Sequence, residues 1–390
     1  LLVLPISARI ALPGEAGSTN QVCQKTKADA NKNFYILLKP AFLPDDGTTR
    51  MNMVNRQWRL RARPAGMPAA DTWEMVEGPV PEPGDGQVLA RACWLSVDPY
   101  MRGRISAGPS YARPVEPGEV MQGGGVGVVV ASRNPALRPG DIVESMGWGW
   151  QDYALLPPTG TRKVDPALGP MRHALGVLGM PGLTAYFALL DVGAPRPGDV
   201  VAVSSASGAV GQVVGQIAKL MGCRTIAIAG GPEKIAWCRE LGYDSGVDYK
   251  AGDLRAALAD AAPDGIDVYF DNTAGPIFDA VMERINLRAR IVQCGTIDTY
   301  NRPGQPDVGL RHHRQMLVKR ARWQGFLYTD YVHRSEEGLA RLASWLREGR
   351  LRYREDIAEG IEAMPGALLR VLSGANLGKQ LVRVSPEPAG

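Results

Sequence analysis

Three small residues, Ala206, Gly208 and Gly211, fall at the spacing of a dinucleotide-binding fingerprint, with alanine in place of its first glycine. Ser207, Gly208, Ala209 and Val210 form the turn. Gly208 would let backbone approach a pyrophosphate, and Gly211 would let the following helix pack closely on its strand. Val210, Val213, Val214, Ile217 and Leu220 recur at helical spacing behind the turn. The helix N-terminus therefore aims free N–H groups at it, a seat for phosphate. About twenty residues further on, an NAD-preferring site carries a carboxylate for the ribose 2′-hydroxyl. Here residues 228–234 read IAGGPEK. Gly230 and Gly231 leave room for a phosphate, and Lys234 offers it a cation against the competing carboxylate of Glu233. NADP(H) is the expected cofactor; a solvated surface lysine is the alternative for Lys234.

Other chemistries find little support in the residue types. The histidines His173, His312, His313 and His333 and the cysteines Cys23, Cys93, Cys223, Cys238 and Cys294 never share metal-ligand spacing, so no metal is expected. His312 and His313 read as a solvated pair in an arginine-rich loop. Ser204, Ser205 and Ser207 crowd the glycine turn without forming a G-x-S-x-G elbow, which argues against a hydrolase. The chemistry must then come largely from the cofactor, with the protein supplying orientation and a proton donor. Hydride transfer fits.

The elements that must position this turn alternate in type from Leu178 to about Gly349, as a parallel sheet with crossover helices requires. Strands are expected at 200–203, 224–228, 246–248, 266–270, 290–294 and 323–326. Helices are expected at 209–221, 233–241, 252–262, 276–286 and 335–348. From Trp58 to about Val177, short apolar runs separated by Pro- and Gly-rich turns predict an all-β, barrel-like domain. After Gly349 a short strand, a helix near 366–373 and the run 380–384 are too few to fold alone, so they complete the β-rich domain. The expected organisation is a β-rich substrate domain over 51–177 completed by 350–390, and a doubly wound α/β (Rossmann) domain over 178–349. Residues 1–50 lack any sustained period and are expected to lie outside the fold, with Met51 or Met53 as the natural start.

Composition narrows the function classes. With 44 basic and 40 acidic residues dispersed along 390, the net charge of +4 does not suggest nucleic acid. No apolar run reaches the ~20 residues of a membrane span. Five widely spaced cysteines argue against a disulfide framework and for a reducing, cytoplasmic location.

Six stretches carry a family resemblance: Leu95–Arg104 (LSVDPYMRGR), Leu178–Tyr186 (LGMPGLTAY), the glycine turn, Phe270–Asn272 (FDN), Cys294–Asn301 (CGTIDTYN) and Gly374–Lys379 (GANLGK). Over about residues 55–385 the chain resembles the zinc-free double-bond reductases of the medium-chain dehydrogenase/reductase superfamily, alongside prostaglandin and alkenal reductases. The resemblance implies a GroES-like β-rich barrel beside the Rossmann domain and a homodimer. It implies NADPH-dependent reduction of the carbon–carbon double bond of α,β-unsaturated ketones or aldehydes, with hydride going to the β-carbon and a proton to the α-carbon. By motif position, Ser207 to Val210 would meet the pyrophosphate, Lys234 and Tyr249 the 2′-phosphate, and Asn272 the cofactor near the sheet's carboxyl edge. Cys294, Gly295, Thr296 and Tyr300, with Phe326, Leu327, Tyr328 and Asn376, would line the nicotinamide half. Tyr300 would steady the enolate oxygen, through its phenol or the nicotinamide ribose hydroxyl, and Tyr100 would line the substrate pocket. Both tyrosines also read as ordinary half-buried aromatics. The chain departs from the family in reading Asn272-Thr-Ala-Gly275 for Asn-Val-Gly-Gly, and Asp298 for a common serine. Competing readings are a quinone reductase with the same cofactor, and a cofactor-binding protein with little turnover.

Overall fold

The computed structural model describes residues 53–108 and 110–388. The expectations for residues 1–50 and for the start at Met51 lie outside the described residues.

The chain opens with β1 (Val54–Leu60) and β2 (Trp73–Pro79), an antiparallel pair. There follow β3 (Val88–Ser96), β4 (Gly125–Ser132), β5 (Ile142–Ser145), β6 (Tyr153–Leu156) and β7 (Thr161–Lys163). The next six strands are β8 (Val200–Ser204), β9 (Arg224–Ala229), β10 (Ser245–Asp248), β11 (Ile266–Asp271), β12 (Ile285–Gln293) and β13 (Arg322–Gly325). They form one parallel sheet in the order β10-β9-β8-β11-β12-β13. The strand order reverses between β8 and β11, and in such sheets ligands sit outside the carboxyl ends at that reversal. β8 (VVAVS) is buried at every position because helices cover both of its faces.

The last two strands, β14 (Glu355–Glu359) and β15 (Lys379–Arg383), return to the first sheet. β15 pairs antiparallel with β3, Leu381 opposite Ser96, so the seven-stranded sheet runs β14-β15-β3-β4-β5-β7 with β6 on the flank of β3. Between them the helix Met364–Leu372 buries Ala367 and Leu368 in the core that holds Leu95, Met101, Trp148 and Trp150. The expected doubly wound α/β fold with a β-rich partner is what forms.

Several elements differ from expectation. The helix expected over 276–286 spans Gly275–Met282, and Ile285 already opens β12, which ends at Gln293. Ile285 is buried opposite Ile266 on β11, and the neighbouring Arg284 guanidinium donates to Ala262 O at 2.7 Å. Tertiary pairing thus overrides the helical pattern. The helix Met180–Phe187, continued by a widened turn over Ala188–Gly193, was not expected. Its sequence is apolar nearly all round because it is buried nearly all round, which erases the period that would reveal it.

β15 is anchored by a buried ion pair. Lys379 Nζ donates to Ser96 Oγ (2.7 Å), Val97 O (2.8 Å) and Asp98 Oδ1 (2.6 Å), and its side chain is 0% exposed. Burial pulls the Lys379 ammonium below its ordinary pKa while Asp98 opposes that shift. Lys379→Met strands the Asp98 carboxylate in the interior and should cost about 3–5 kcal/mol in urea unfolding. Adding Asp98→Asn should recover part of that loss; an unchanged midpoint in the single variant would contradict the pair's structural role.

Candidate active site

The glycine turn leaves β8 through Ser205, which adopts a left-handed φ of 51°. Ala206 is fully buried, and the helix Gly211–Leu220 starts five residues later. A Cβ on Gly211 would sit 2.4 Å from Ser205 O and 2.7 Å from Ala206 Cα, so only glycine permits this contact between turn and helix. Tyr243 OH donates to Gly211 O at 2.7 Å and fixes the helix start from the opposite side. At the sheet edge, Asp271 accepts from Ser204 Oγ (2.9 Å), Tyr269 OH (2.8 Å) and Gln293 Nε2 (2.8 Å), linking the ends of β8, β11 and β12. Asn272 Nδ2 donates to Ser204 O at 2.7 Å.

A cleft of about 1110 Å³ runs along this edge. At one end stand Gly230, Lys234 and Tyr249. A Cβ on Gly230 would lie 2.8 Å from Tyr249 OH and 2.9 Å from Lys250 Cε, so the glycine keeps open a recess between a phenol and lysine side chains. Lys234 Nζ donates to Gly374 O at 2.7 Å, and burial, helped by nearby Lys250, lowers its pKa. The Asp248 carboxylate is turned away from the recess: its Oδ1 accepts from the N–H groups of Gly231 (2.9 Å) and Lys250 (3.0 Å). Glu233 is largely exposed and lies 3.8 Å from Arg354.

Of the residues singled out from sequence, Ser207 to Gly211, Lys234, Tyr249, Asn272 and Asn376 all wall the cleft. Cys294, Gly295, Tyr300, Phe326, Leu327, Tyr328 and Tyr100 do so as well. Gly231 and Thr296 do not. Gly231 turns its N–H to Asp248, and Thr296 O accepts from Thr299 N (3.0 Å) and Oγ1 (2.9 Å), closing a short helical turn. Burial pushes the Tyr300 phenol above its ordinary pKa; the Tyr111 phenol adds to this and Thr296 opposes it. Tyr100 is pushed well up by burial and Asp98, with Arg104 opposing. Burial likewise pushes the Cys294 thiol up to about 12.

The sequence reading missed Arg104, Tyr111, Glu144 and Arg162, which also line the cleft. Arg104 lies inside a stretch already quoted, and its spacing of four from Tyr100 was the available signal. Glu144 Oε2 lies 3.2 Å from Arg162 Nε; burial raises the glutamate's pKa and Arg162 counters it. The expected solvated pair His312-His313 is not one: His312 Nε2 is 2.7 Å from Asp279 Oδ1, and its ring packs on Phe278 with centroids 5.7 Å apart. His313 opens the helix His313–Lys319, another element not expected. Among the described residues, no group of three or more His, Cys, Asp or Glu side chains is arranged to hold a metal ion.

Residues 56–164 match the family described as the N-terminal domain of oxidoreductase, and residues 209–345 the family described as zinc-binding dehydrogenase. The chain is 44% identical to the NADPH-dependent curcumin reductase of Escherichia coli, over 85% of this chain and 97% of that protein. It is 39% identical to the NADP(+)-dependent 2-alkenal reductase of Nicotiana tabacum, over 85% of this chain and 98% of that one. The crystal structure of CurA from Vibrio vulnificus in complex with NADPH superposes with a TM-score of 0.80 at 43% identity, covering 85% of this chain and 99% of that one. With the glycine turn, the reversal-point cleft and these similarities in place, the chain belongs to the zinc-free group of the medium-chain dehydrogenase/reductase family, among oxidoreductases that include curcumin and 2-alkenal reductases.

Proposed function

We propose that this chain uses NADPH to reduce the carbon–carbon double bond of α,β-unsaturated ketones or aldehydes, without a metal. The carrying observation is the cleft, which joins a recess beside Lys234 and Tyr249 to a wall formed by Cys294, Tyr300 and Tyr100. The residues fit the cofactor: Gly230 keeps that recess open, a cation and a phenol flank it, and the N-terminus of the helix Gly211–Leu220 follows the turn residues that line the cleft. Lys234 and Tyr249 would hold the 2′-phosphate and Ser207 to Val210 the pyrophosphate. Asn272, Cys294, Phe326 to Tyr328 and Asn376 would flank the nicotinamide half. NADPH supplies a hydride to the β-carbon of the substrate.

The protein's own part is to hold the carbonyl and the proton. Tyr300 Oη, kept protonated by its buried setting, would donate a hydrogen bond to the enolate oxygen, directly or through the ribose hydroxyl. The α-carbon would then take up a proton from solvent water, completing the saturated carbonyl product. Because burial raises the Tyr300 pKa, the phenol stays protonated through the ordinary phenol range near 10. Activity that needs this O–H should persist through neutral and mildly alkaline pH, and fall only as pH rises past that range. Tyr300→Phe should lower kcat with small effect on the Michaelis constant for NADPH. An unchanged kcat and pH profile in this variant would remove Tyr300 from the mechanism.

Lys234→Ala should raise the Michaelis constant for NADPH roughly ten- to a hundred-fold, the worth of one charge-assisted hydrogen bond. The constant for NADH should barely move, and turnover at saturating cofactor should change much less. Steady-state kinetics with both cofactors, on a panel of enones, enals and quinones, checks this together with the substrate class. Equal losses for NADPH and NADH would refute the assignment of Lys234, and reduction of quinones alone would make the chain a quinone reductase.

We also place the protein in the cytoplasm as a homodimer. Cys93, Cys223, Cys238 and Cys294 are all unpaired, and among the described residues no helix is long and apolar enough to cross a membrane. β13 is the edge of the parallel sheet and is exposed at all four positions, Trp323 about half exposed, with Leu317 76% and Val318 about half exposed in the helix before it. An exposed strand edge flanked by apolar side chains is a template for strand pairing, and a second copy related by a two-fold axis would cover it. Light scattering should give twice the chain mass, and Leu317→Lys should shift it toward one; a monomeric wild type would contradict the arrangement.

A further inference from the structure

Most lining charges of the cleft are compensated, the exposed carboxylate of Glu336 apart. Asp98 is held by Lys379, Glu144 by Arg162 and Asp298 by Arg302, while Lys234 donates to a backbone carbonyl. Arg104 is different. Its guanidinium carbon lies 5.3 Å from the Tyr100 ring centroid and 4.7 Å from that of Tyr111, so two aromatic faces hold it in place. Among the described residues no carboxylate pairs with it, and it is only half-buried at the wall of the cleft. Arg102, two residues before it, donates to Asn301 Oδ1 at 3.2 Å beside Tyr300, and Tyr111 raises the Tyr300 pKa, so Arg104 stands at the reacting end and not at the Lys234 end. A fixed, planar, unneutralised cation in a cleft is a recognition element for a carboxylate.

We propose that Arg104 selects the substrate: held between Tyr100 and Tyr111, it binds the carboxylate of enones or enals that carry one in addition to the conjugated carbonyl. This rests on the double-bond reductase reading above and narrows its substrate class. The partly buried Tyr100 ring limits how far the guanidinium can move, while Tyr111 is itself 58% exposed, so part of the side-chain freedom lost on binding an anion is already gone. Asp98 and Glu144 face Tyr100 from the same wall, but each is already engaged by its own cation and does not neutralise Arg104.

The test compares a medium-chain enone bearing a terminal carboxylate with its methyl ester, by NADPH oxidation. Wild type should show a Michaelis constant about ten-fold or more lower for the acid, the worth of a charge-assisted hydrogen bond. Raising ionic strength should narrow that ratio. Arg104→Gln should bring the ratio close to one, chiefly by raising the constant for the acid, and Arg104→Lys should keep part of the preference. A wild type that treats acid and ester alike, or a preference unmoved by salt, overturns the proposal without any variant. Equal loss of kcat on both substrates in Arg104→Gln also overturns it, since it would assign Arg104 to the reacting carbonyl. If neither acid nor ester is turned over while quinones are, the double-bond reading itself has failed, an outcome distinct from ester turnover without acid preference.

Discussion

The cleft depends on one close approach, that of residues 374–379 to the glycine turn. Gly378 N–H donates to Ser207 O at 3.2 Å, Gly208 and Gly378 pair as an isolated parallel bridge, and Gly374 O receives Lys234 Nζ. The next residue, Lys379, is buried on Ser96 and Asp98, and from there β15 runs into the seven-stranded sheet beside β3. A six-residue segment therefore meets Lys234 with its first residue and, through the adjacent Gly378 and Lys379, joins the glycine turn to the β-rich sheet. Its register is specified by this pair, because a shift of one residue would take Lys379 from its buried partners and leave Gly378 or Gln380, neither of them cationic, opposite Asp98. The cleft width is set by this fixed register.

Rigidity on the opposite wall has a different source. Asp271 accepts from Ser204, Tyr269 and Gln293 and also from the N–H groups of Thr273 (2.9 Å) and Ala274 (3.0 Å). One buried carboxylate thereby ties three strand ends and the start of the following loop, while Cys294 N–H donates to its backbone oxygen at 2.8 Å. Such a network is stable only when every member is satisfied, and here the donors converge on both carboxylate oxygens. The loop carrying Cys294 and Tyr300 hangs from this knot, so its side chains are presented from a fixed base.

Legibility from sequence followed the same physics. The glycine turn, β8 and the helix behind it are local: a β-branched run, a turn that only glycine can make and an apolar stripe all lie within twenty residues. Lys234 stands out because its spacing from the turn is fixed by one strand and one crossover, whereas Tyr249 comes only from the family resemblance. Arg104 and Glu144 were not singled out, because what makes them lining residues is the packing of a short turn and of β5 against a distant wall. The helix Met180–Phe187 was hidden by burial on nearly every side, and Ile285 was read as helical because its pairing with Ile266 is a tertiary fact. The His312–Asp279 pair joins residues 33 apart, beyond any local pattern.

Discrimination at the Lys234 end needs a carboxylate removed as much as a cation supplied. Asp248 closes the strand next to the recess and is the nearest acid able to take the place of a ribose-binding carboxylate. It is withdrawn because the N–H groups of Gly231 and Lys250 both point at its Oδ1, and the left-handed φ of 102° at Gly231 is what turns that N–H inward. Glu233, the other acid in the stretch, faces solvent and Arg354. With Asp248 held by backbone N–H groups and Glu233 facing solvent, a 2′-phosphate would meet Lys234 and Tyr249 as proposed above, and a 2′-hydroxyl would lose Asp248 as an acceptor. A half-buried ammonium with a depressed pKa gains more from a dianion than a fully solvated one would, because less water competes for it. Preference for NADP(H) on this reading comes from how one aspartate is hydrogen-bonded, a feature set by the turn at Gly231 and not by the lysine alone.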